Sequence, residues 1–378
     1  MIVAAPRMSP RSYRVVPVND AVGERHFRAA GAAVYRHDAN WVPPLPGEER
    51  QTFDRRRNPQ LQGVGARRWT LLERGVPVGR VAAFAPAHRP GVGYVGFFEC
   101  PDDPHAARAL LDAAEMWLRA EQRLECYGPI AVTPRERIGL LVDGFDRPPM
   151  LFTPYNPPYY AALLEAAGWA PHLYLRAYGW DPGCAEPRLN RVAERAAARS
   201  GIRVRPLRLD QLRNETRVVA SLINETLAGA WHFDPIGEQE SDEMARLLRP
   251  ILDPSIALLA EDGGGPCGVA LGVPDVNWLW RRAGGRLWPL GWARALRWRH
   301  HIPQVRCMAL GLATRVRGSG LAVRLIDQLH RAGLERGFAC GELSQVYEDN
   351  EGMRRILDRM HFPVVRRYAV FARWLEAA

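Results

Sequence analysis

The chain has 378 residues, 47% hydrophobic and 24% charged, with a formal net charge of +10. That length can bury the cores of two ordinary domains, and the composition is that of a globular chain, which excludes a disordered one. No apolar run approaches the roughly 18 residues that span a bilayer, and MIVAAPRMSP lacks the apolar centre and cleavage site of a signal peptide, so a cytoplasmic protein with no membrane partner is expected.

The six cysteines are scattered singly and the ten histidines form no metal-type cluster, so neither a disulfide framework nor a bound metal is expected. All 51 basic residues are arginine, a bias that a GC-rich genome produces by itself. The runs DRRRNP (54–59) and RWRHH (297–301) are too short for nucleic-acid tails and read as solvated faces, so DNA is not an expected partner.

In chain order, SYRVVPVNDAVGERHFRAAGAAVYRHD (12–38) reads as a strand followed by an amphipathic helix. RWTLLERGVPVGRVAAF (68–84) has a glycine- and proline-bearing turn between two apolar runs, which predicts a hairpin. GYVGFFE (93–99) predicts a strand and CPDDPHAARALLDAAEMWLRAE (100–121) a helix capped by Asp102 or Asp103. The overlapping GVGYVG (91–96) matches a dinucleotide fingerprint, but no helix directly follows it, so it reads as a hairpin turn. YNPPYYAALLEAAGW (155–169) predicts a helix. Residues 181–202 then break the pattern as a linker with a polar helix. IRVRPLRLDQL (202–212) restarts with strand and helix, SIALLAEDGGGPCGVALGV (255–273) repeats the hairpin, and PDVNWLW (274–280) reads as the end of its second strand. VRCMALGLA (305–313) is a strand, and DNEGMRRILDRMHF (349–362) repeats the helix of 155–169. The order is the same in both halves, which predicts a duplicated α+β fold: 1–180, a linker at 181–202, and 203–378. Each copy would have a mixed, mostly antiparallel sheet with a βαβ portion and helices on both faces.

The most informative stretch is TRVRGSGLAVRLIDQLHRAGLERG (314–337). Arg315, Gly318 and Gly320 fall in an R-x-x-G-x-G spacing between a strand and a helix whose apolar stripe is Leu321, Leu325, Ile326, Leu329 and Leu334. Glycines let the backbone approach a ligand closely, and free N–H groups at a helix start attract phosphate oxygens. Arg315 and Arg317 add positive charge, so the expected occupant is a pyrophosphate.

This stretch resembles the pyrophosphate loop of the GNAT acyltransferase superfamily. ACGELSQVYEDNEGMRRILDRMHF (339–362) resembles that family's next strand and Asn-led helix, and NWVPPL, GYVGFFECPDD, LLVDGFDRPPM, PILDP, PLGW and ELSQVYEDN resemble stretches of tandem GNAT-like bacterial proteins. The resemblance implies that the backbone of Arg315, Val316, Arg317, Gly318, Ser319, Gly320 and Leu321 holds the pyrophosphate of acetyl-CoA or another acyl-CoA. It implies that Leu310 and Leu312 pair with the pantetheine arm and that Asn350 contacts it. The usual tyrosine acid is replaced by Leu357, with Tyr347 and Tyr368 the nearest alternatives. Asp102 and Asp103 would repel a diphosphate, so the first half is expected to be a degenerate copy.

Alternation places Glu342 and Ser344 on one face of their strand, candidates with Tyr347 for catalysis. NETLAGAWHFDPIGEQE (224–240) supplies acceptor candidates Asn224, Trp231, His232, Phe233 and Asp234, joined by Asp275 and Asn277. Three readings follow. The leading one is an N-acyltransferase acting on the amine of a small molecule or amino acid. The others are an amide-forming transferase that uses aminoacyl-tRNA and a non-catalytic CoA-binding sensor or scaffold.

Overall fold

The computed structural model describes residues 12–44, 47–135, 137–184, 201–283 and 301–376, with positions 191 and 195 between them. The PLGW stretch and, apart from positions 191 and 195, the expected linker helix at 188–200 lie outside the described residues.

The first half runs β1 (Tyr13–Pro17), α1 (Ala21–Val34), the short α2 (Glu48–Thr52), β2 (Val64–Glu73), β3 (Val76–Pro86), β4 (Val92–Glu99), α3 (Pro104–Ala120), β5 (Glu125–Gly128), β6 (Leu140–Asp143), α4 (Tyr160–Ala166) and β7 (Ala170–Trp180). The second half runs β8 (Arg203–Pro206), α5 (Leu212–Leu227), α6 (Glu238–Leu248), β9 (Ala257–Asp262), β10 (Gly265–Pro274), α7 (Val276–Arg282), β11 (Gln304–Leu312), α8 (Leu321–Glu335), β12 (Cys340–Tyr347), α9 (Glu351–Arg359) and β13 (Val364–Trp374). Both expected hairpins form, as β2–β3 and β9–β10. The GVGYVG stretch is not a turn: β4 begins at Val92 and runs through it.

Residues 274–280 depart from expectation. Pro274 ends β10, and the carboxylate of Asp275 accepts from the Asn277 amide, so the chain turns into α7. Asp275 and Asn277 therefore sit at a helix head, not on a hairpin.

All thirteen strands among the described residues join one sheet, in the order β1-β2-β3-β4-β5-β13-β7-β12-β11-β10-β9-β8, with β6 also on β13. Only β4–β5 and β11–β12 are parallel. The centre of the sheet is an exchange. β13, from the end of the second half, lies between β5 and β7 of the first, and β7 pairs with β12 of the second. Strand pairing thus crosses the division at 181–202. Phe371 and Leu375 join the core under α3 and α4, while Tyr178 and Trp180 of β7 join the core of the second half. Gly341 makes room for this packing, since a Cβ there would lie 2.1 Å from Trp180.

Alternate residues of β3 face opposite layers. Val81, Ala83 and Ala85 meet α3, and Ala82 and Phe84 share a cluster with Phe27 of α1. Helices therefore cover both faces.

The exchange makes one cooperative unit of two halves. Phe371 is 1% exposed, so Phe371→Ala is expected to cost about 3–5 kcal/mol and to lower a single melting transition seen alike by circular dichroism and tryptophan fluorescence. Separate transitions for the two halves would contradict this.

Candidate active site

β11 and β12 pair from Gln304↔Cys340 to Cys307↔Leu343 and no further, although β11 continues to Leu312 and β12 to Tyr347. Both outer neighbours contribute to the divergence. Against β10 the register passes from Leu271↔Ala309 to Gly272↔Cys307, leaving Met308 as a bulge. Against β7 it passes from Leu343↔Tyr178 to Val346↔Arg176, so β12 holds one extra residue there. The result is a wedge-shaped gap lined by Leu310, Leu312, Ser344 and Tyr347. The Leu312 amide is already engaged by Thr226 Oγ1 at 2.9 Å, which leaves Leu310 of the expected pair.

At the open end of the wedge the chain makes a tight turn into α8. The amides of Val316, Arg317 and Ser319 are used within it, bonding Ala313 O, Thr314 O and Val316 O at 3.1, 3.2 and 3.2 Å, and Leu321 N bonds Ser319 Oγ. Gly318 and Gly320 have φ of +79° and +86°, a region costly for any other residue. Among the described residues, the amides of Gly318, Gly320, Ala322 and Val323 have no acceptor in the chain. The run expected to carry the anion thus shifts two residues into the helix.

Arg315 does not add charge to this site. Its guanidinium bonds Asp262 at 3.1 Å and the carbonyls of Gly265 and Pro266, pinning the loop to the β9–β10 turn, and it holds the Asp262 carboxyl below its ordinary value. Arg317, exposed and bonded only to Glu225 O and Thr226 O, lines the opening instead.

The wedge opens into a cavity of about 1760 Å³ shared by both halves. Ile223 and Leu227 of α5, with Met244 and Leu248 of α6, form one wall, and Tyr35, Phe97, Ile130 and Tyr160 of the first half form another. The first half has no equivalent slot. Beyond Tyr94↔Tyr127 the space between β4 and β5 is filled by its own backbone: Ile130 N bonds Val95 O at 2.8 Å. Asp103 caps α3, accepting from His105 N at 2.9 Å. Among the described residues, every carboxylate lining the cavity is ion-paired: Glu48 with Arg137, Glu49 and Glu99 with the buried Arg80, Glu240 with Arg135, and Glu243 with Arg246.

Several candidates lie elsewhere. Glu342 is buried in an ion pair with Arg366, away from the cavity lining, because β13 brings that arginine over the same face of the sheet. Ser344 does line the wedge, but its Oγ accepts from Arg306 Nε at 3.1 Å. Tyr347 lines it too, with its hydroxyl pushed up to about 12 by burial. Tyr368 and Leu357 are core residues. Asn350 faces the cavity while its Oδ1 caps α9.

Of the acceptor candidates, Phe233 and Asn277 line the cavity. Asn224 braces the α5–α6 connection through Ile236 N and O. Trp231 stacks on His232 with centroids 4.1 Å apart, and both pack on Tyr127. Burial, with Arg89 nearby, pushes the His232 imidazole down to about 4. Asp234 pairs with Arg89 at 2.6 Å. These three hold the halves together because their partners are on the first half.

The first-half segment 147–151, which includes the end of the LLVDGFDRPPM stretch, is stitched to the second half through its backbone, and the Leu151 side chain packs in the second half's core. Arg366 donates to Pro148 O, Asn277 Nδ2 to Pro149 O at 3.1 Å, and Arg306 to Leu151 O, while Leu151 N donates to Asp275 Oδ1 at 2.9 Å. Met308 and Arg306 are the parts that motif reading missed, along with what this segment is bonded to.

No family model matches the chain. Among solved structures, a tandem GNAT protein from the clavulanic acid biosynthesis pathway superposes with a TM-score of 0.58 at 13% identity, over 97% of this chain and 100% of that one. The chain has the tandem GNAT-like fold. A GCN5-related N-acetyltransferase from Sphaerobacter thermophilus also superposes, with a TM-score of 0.51 at 14% identity over 95% of each chain. In sequence, this tandem GNAT-like chain is 28% identical over 374 residues to the bacterial ceramide synthase of Caulobacter vibrioides, covering 96% of this chain and 97% of that protein. It is also 28% identical over 360 residues to protein YghO of Escherichia coli, covering 91% of each.

Desolvation pushes the Asp275 carboxyl up from 3.8 to about 7. An acid whose folded pKa is raised is protonated more readily in the folded state, so its contribution is full below 3.8 and is lost as pH climbs toward 7. Thermal stability is expected to fall over that window by up to about 1.4 kcal/mol per pH unit from this group. Asp275→Asn, which keeps an acceptor for Leu151 N, should flatten the slope. An unchanged pH–Tm curve would refute the assignment.

Proposed function

We propose that this protein is an N-acyltransferase that moves a long acyl chain from an acyl-CoA to the amine of an amphipathic acceptor. The carrying observation is the continuity of one cavity of about 1760 Å³ from the glycine turn, through the wedge, to aliphatic space between the halves. Four amides without acceptors at the head of a 15-residue helix, with Arg317 beside them, fit a diphosphate. The unpaired edges of β11 and β12 fit an extended thioester arm, and the bulge at Met308 frees an amide from the β10 ladder to support the tetrahedral oxyanion.

The size of the space favours a long chain over acetyl. Pockets for drug-sized ligands occupy about 300–1,000 Å³, so an acetyl group and a small amine would leave much of this cavity empty. Its walls include Ile223, Leu227, Met244, Leu248, Met353 and Ile356, which favour hydrocarbon. The similarity to a bacterial ceramide synthase supports the same reading, because a ceramide is the amide of a long-chain amine with a fatty acid. No observation favours aminoacyl-tRNA as donor, and that alternative is set aside. A binding-only role is separated from catalysis by turnover.

The reading is tested by thiol release from hexadecanoyl-CoA with a long-chain amino alcohol, alongside melting with CoA. Ligand at 100 times its Kd should stabilise by about 2.7 kcal/mol, and Gly318→Asp, with a carboxylate at a left-handed position, should abolish that shift. Absence of any shift in the folded wild type would overturn the donor assignment. Ile223→Trp should reduce kcat/KM for hexadecanoyl-CoA at least about tenfold relative to acetyl-CoA. Equal losses for both donors would place the acyl chain elsewhere.

A further inference from the structure

We propose that Ser344 is the proton shuttle of the reaction: its hydroxyl takes a proton from the attacking nitrogen and hands its own to the departing sulfur. This inference rests on the acyltransferase reading above and names the group that protonates the thiolate in a chain with Leu357 at the usual tyrosine position. Among the described residues no histidine lines the cavity, and each carboxylate that does is held by an arginine. Cys307 lines it too, but its thiol is pushed up to about 12 by burial and its side chain joins the core of the second half. On the first-half wall, Tyr155 donates to Asp38 at 2.7 Å, Tyr35 to Tyr155 O at 3.3 Å, and the Tyr160 hydroxyl accepts from Cys100 N at 2.8 Å.

The ladder between β11 and β12 ends at Cys307↔Leu343. The next residue on β11 is Met308, the bulge, and the next on β12 is Ser344, so the two flank the vertex of the wedge and both line it. In the reading above, the amide freed at Met308 receives the thioester oxygen. The sulfur is bonded to the same carbon, and Ser344 borders it from the opposite lip. Tyr347 also lines the wedge, but it stands three residues further along β12, about 10 Å toward the open end at about 3.3 Å per residue.

The hydroxyl is held in place by its neighbour. Arg306 Nε donates to Ser344 Oγ at 3.1 Å, and Nη2 of the same guanidinium donates to the Ser344 carbonyl at 3.0 Å. Two donors fixed in one plane hold the serine backbone and side chain together. A serine hydroxyl offers one donor and two acceptor sites. Arg306 fills one acceptor site, and among the described residues the hydroxyl proton has no acceptor. One donor and one acceptor site therefore remain, the pair that a shuttle uses. The bond received from Arg306 also polarises the O–H, which makes its proton the better donor.

The step balances without redox chemistry. The acceptor ammonium first loses one proton to solvent. The nitrogen lone pair then forms the C–N bond while the carbonyl π pair moves onto oxygen. As that pair returns and the C–S bond breaks, the positively charged nitrogen gives a proton to Ser344 Oγ, and Oγ gives its own to sulfur. The products are an amide and a free thiol, and the serine is regenerated without passing through an alkoxide.

The experiment begins with wild-type turnover of hexadecanoyl-CoA and a long-chain amino alcohol. If the folded protein turns over no acyl-CoA, the acyltransferase reading fails and this inference falls with it. With turnover in hand, Ser344→Ala and Ser344→Thr, each checked for folding by circular dichroism, are compared with the wild type on two donors. One is hexadecanoyl-CoA, and the other is the hexadecanoyl thioester of 4-nitrothiophenol, whose thiolate departs without a proton. Ratios to the wild type are taken on the same donor, so weaker binding of the aryl thioester cancels. Ser344→Ala is expected to lower kcat/KM for hexadecanoyl-CoA about 100-fold or more and to leave that for the aryl thioester close to the wild type. Ser344→Thr, which keeps a hydroxyl, should retain most activity on both. Equal losses on the two donors would reduce Ser344 to a partner that holds Arg306, and full activity of Ser344→Ala on hexadecanoyl-CoA would equally overturn the proposal. A second measurement needs no variant. The wild-type single-turnover rate with hexadecanoyl-CoA should fall in heavy water, because two protons move as the C–S bond breaks. A rate indifferent to deuterium would overturn the shuttle.

Discussion

The exchange of final strands is the constraint on which the rest of the molecule depends. β13 completes the first half between β5 and β7, and β7 in turn braces β12, the strand that forms one lip of the wedge. The site is therefore bordered by an element of the other half, and the cavity between the halves has walls that cannot drift apart without breaking the centre of the sheet. The polar stitches at 147–151 work to the same end. Asp275 and Asn277 at the head of α7, Arg306 of β11 and Arg366 of β13 come from three elements of the second half, and all of them reach backbone atoms of one first-half segment. Backbone contacts of this kind fix position whatever side chains the segment carries.

Two copies of one plan have diverged by small local changes. In the second half, glycines at 318 and 320 keep the turn open and its amides aimed outward, and the strands beyond it stay apart. In the first, an aspartate caps the corresponding helix, and the chain around Ile130 occupies the gap between the strands. The first half thereby becomes wall instead of slot, and it contributes Tyr35, Phe97 and Tyr160 to a space that neither half encloses alone.

The fold was legible because its signals are local. Hairpins, helix stripes, capping aspartates and the glycine turn each need only a few neighbouring residues, and the duplicated order follows from reading them in sequence. The site was legible only where backbone geometry is encoded by residue type, as at Gly318 and Gly320. Side-chain roles failed where the partner comes from far along the chain. Arg315 belongs to Asp262, Glu342 to Arg366, Asp234 to Arg89, and no local pattern announces those pairs. Arg306 carried no signal at all in a chain whose basic residues are all arginine, and the bulge at Met308 exists only as a register difference between two strands.

The central position of β13 also has a consequence in time. When β7 has been synthesised, the slot beside it must wait for a strand that begins at Val364, after Trp180 at the end of β7. At ribosomal speeds of about 5–20 residues per second that interval is on the order of 10–40 s. Throughout it, β5 and β7 present unsatisfied backbone edges with apolar faces, the form of nascent chain most prone to pair with a neighbour. A chain wired this way closes its sheet only once β13 has been made, and its yield in the cell depends on what shelters those edges while they wait.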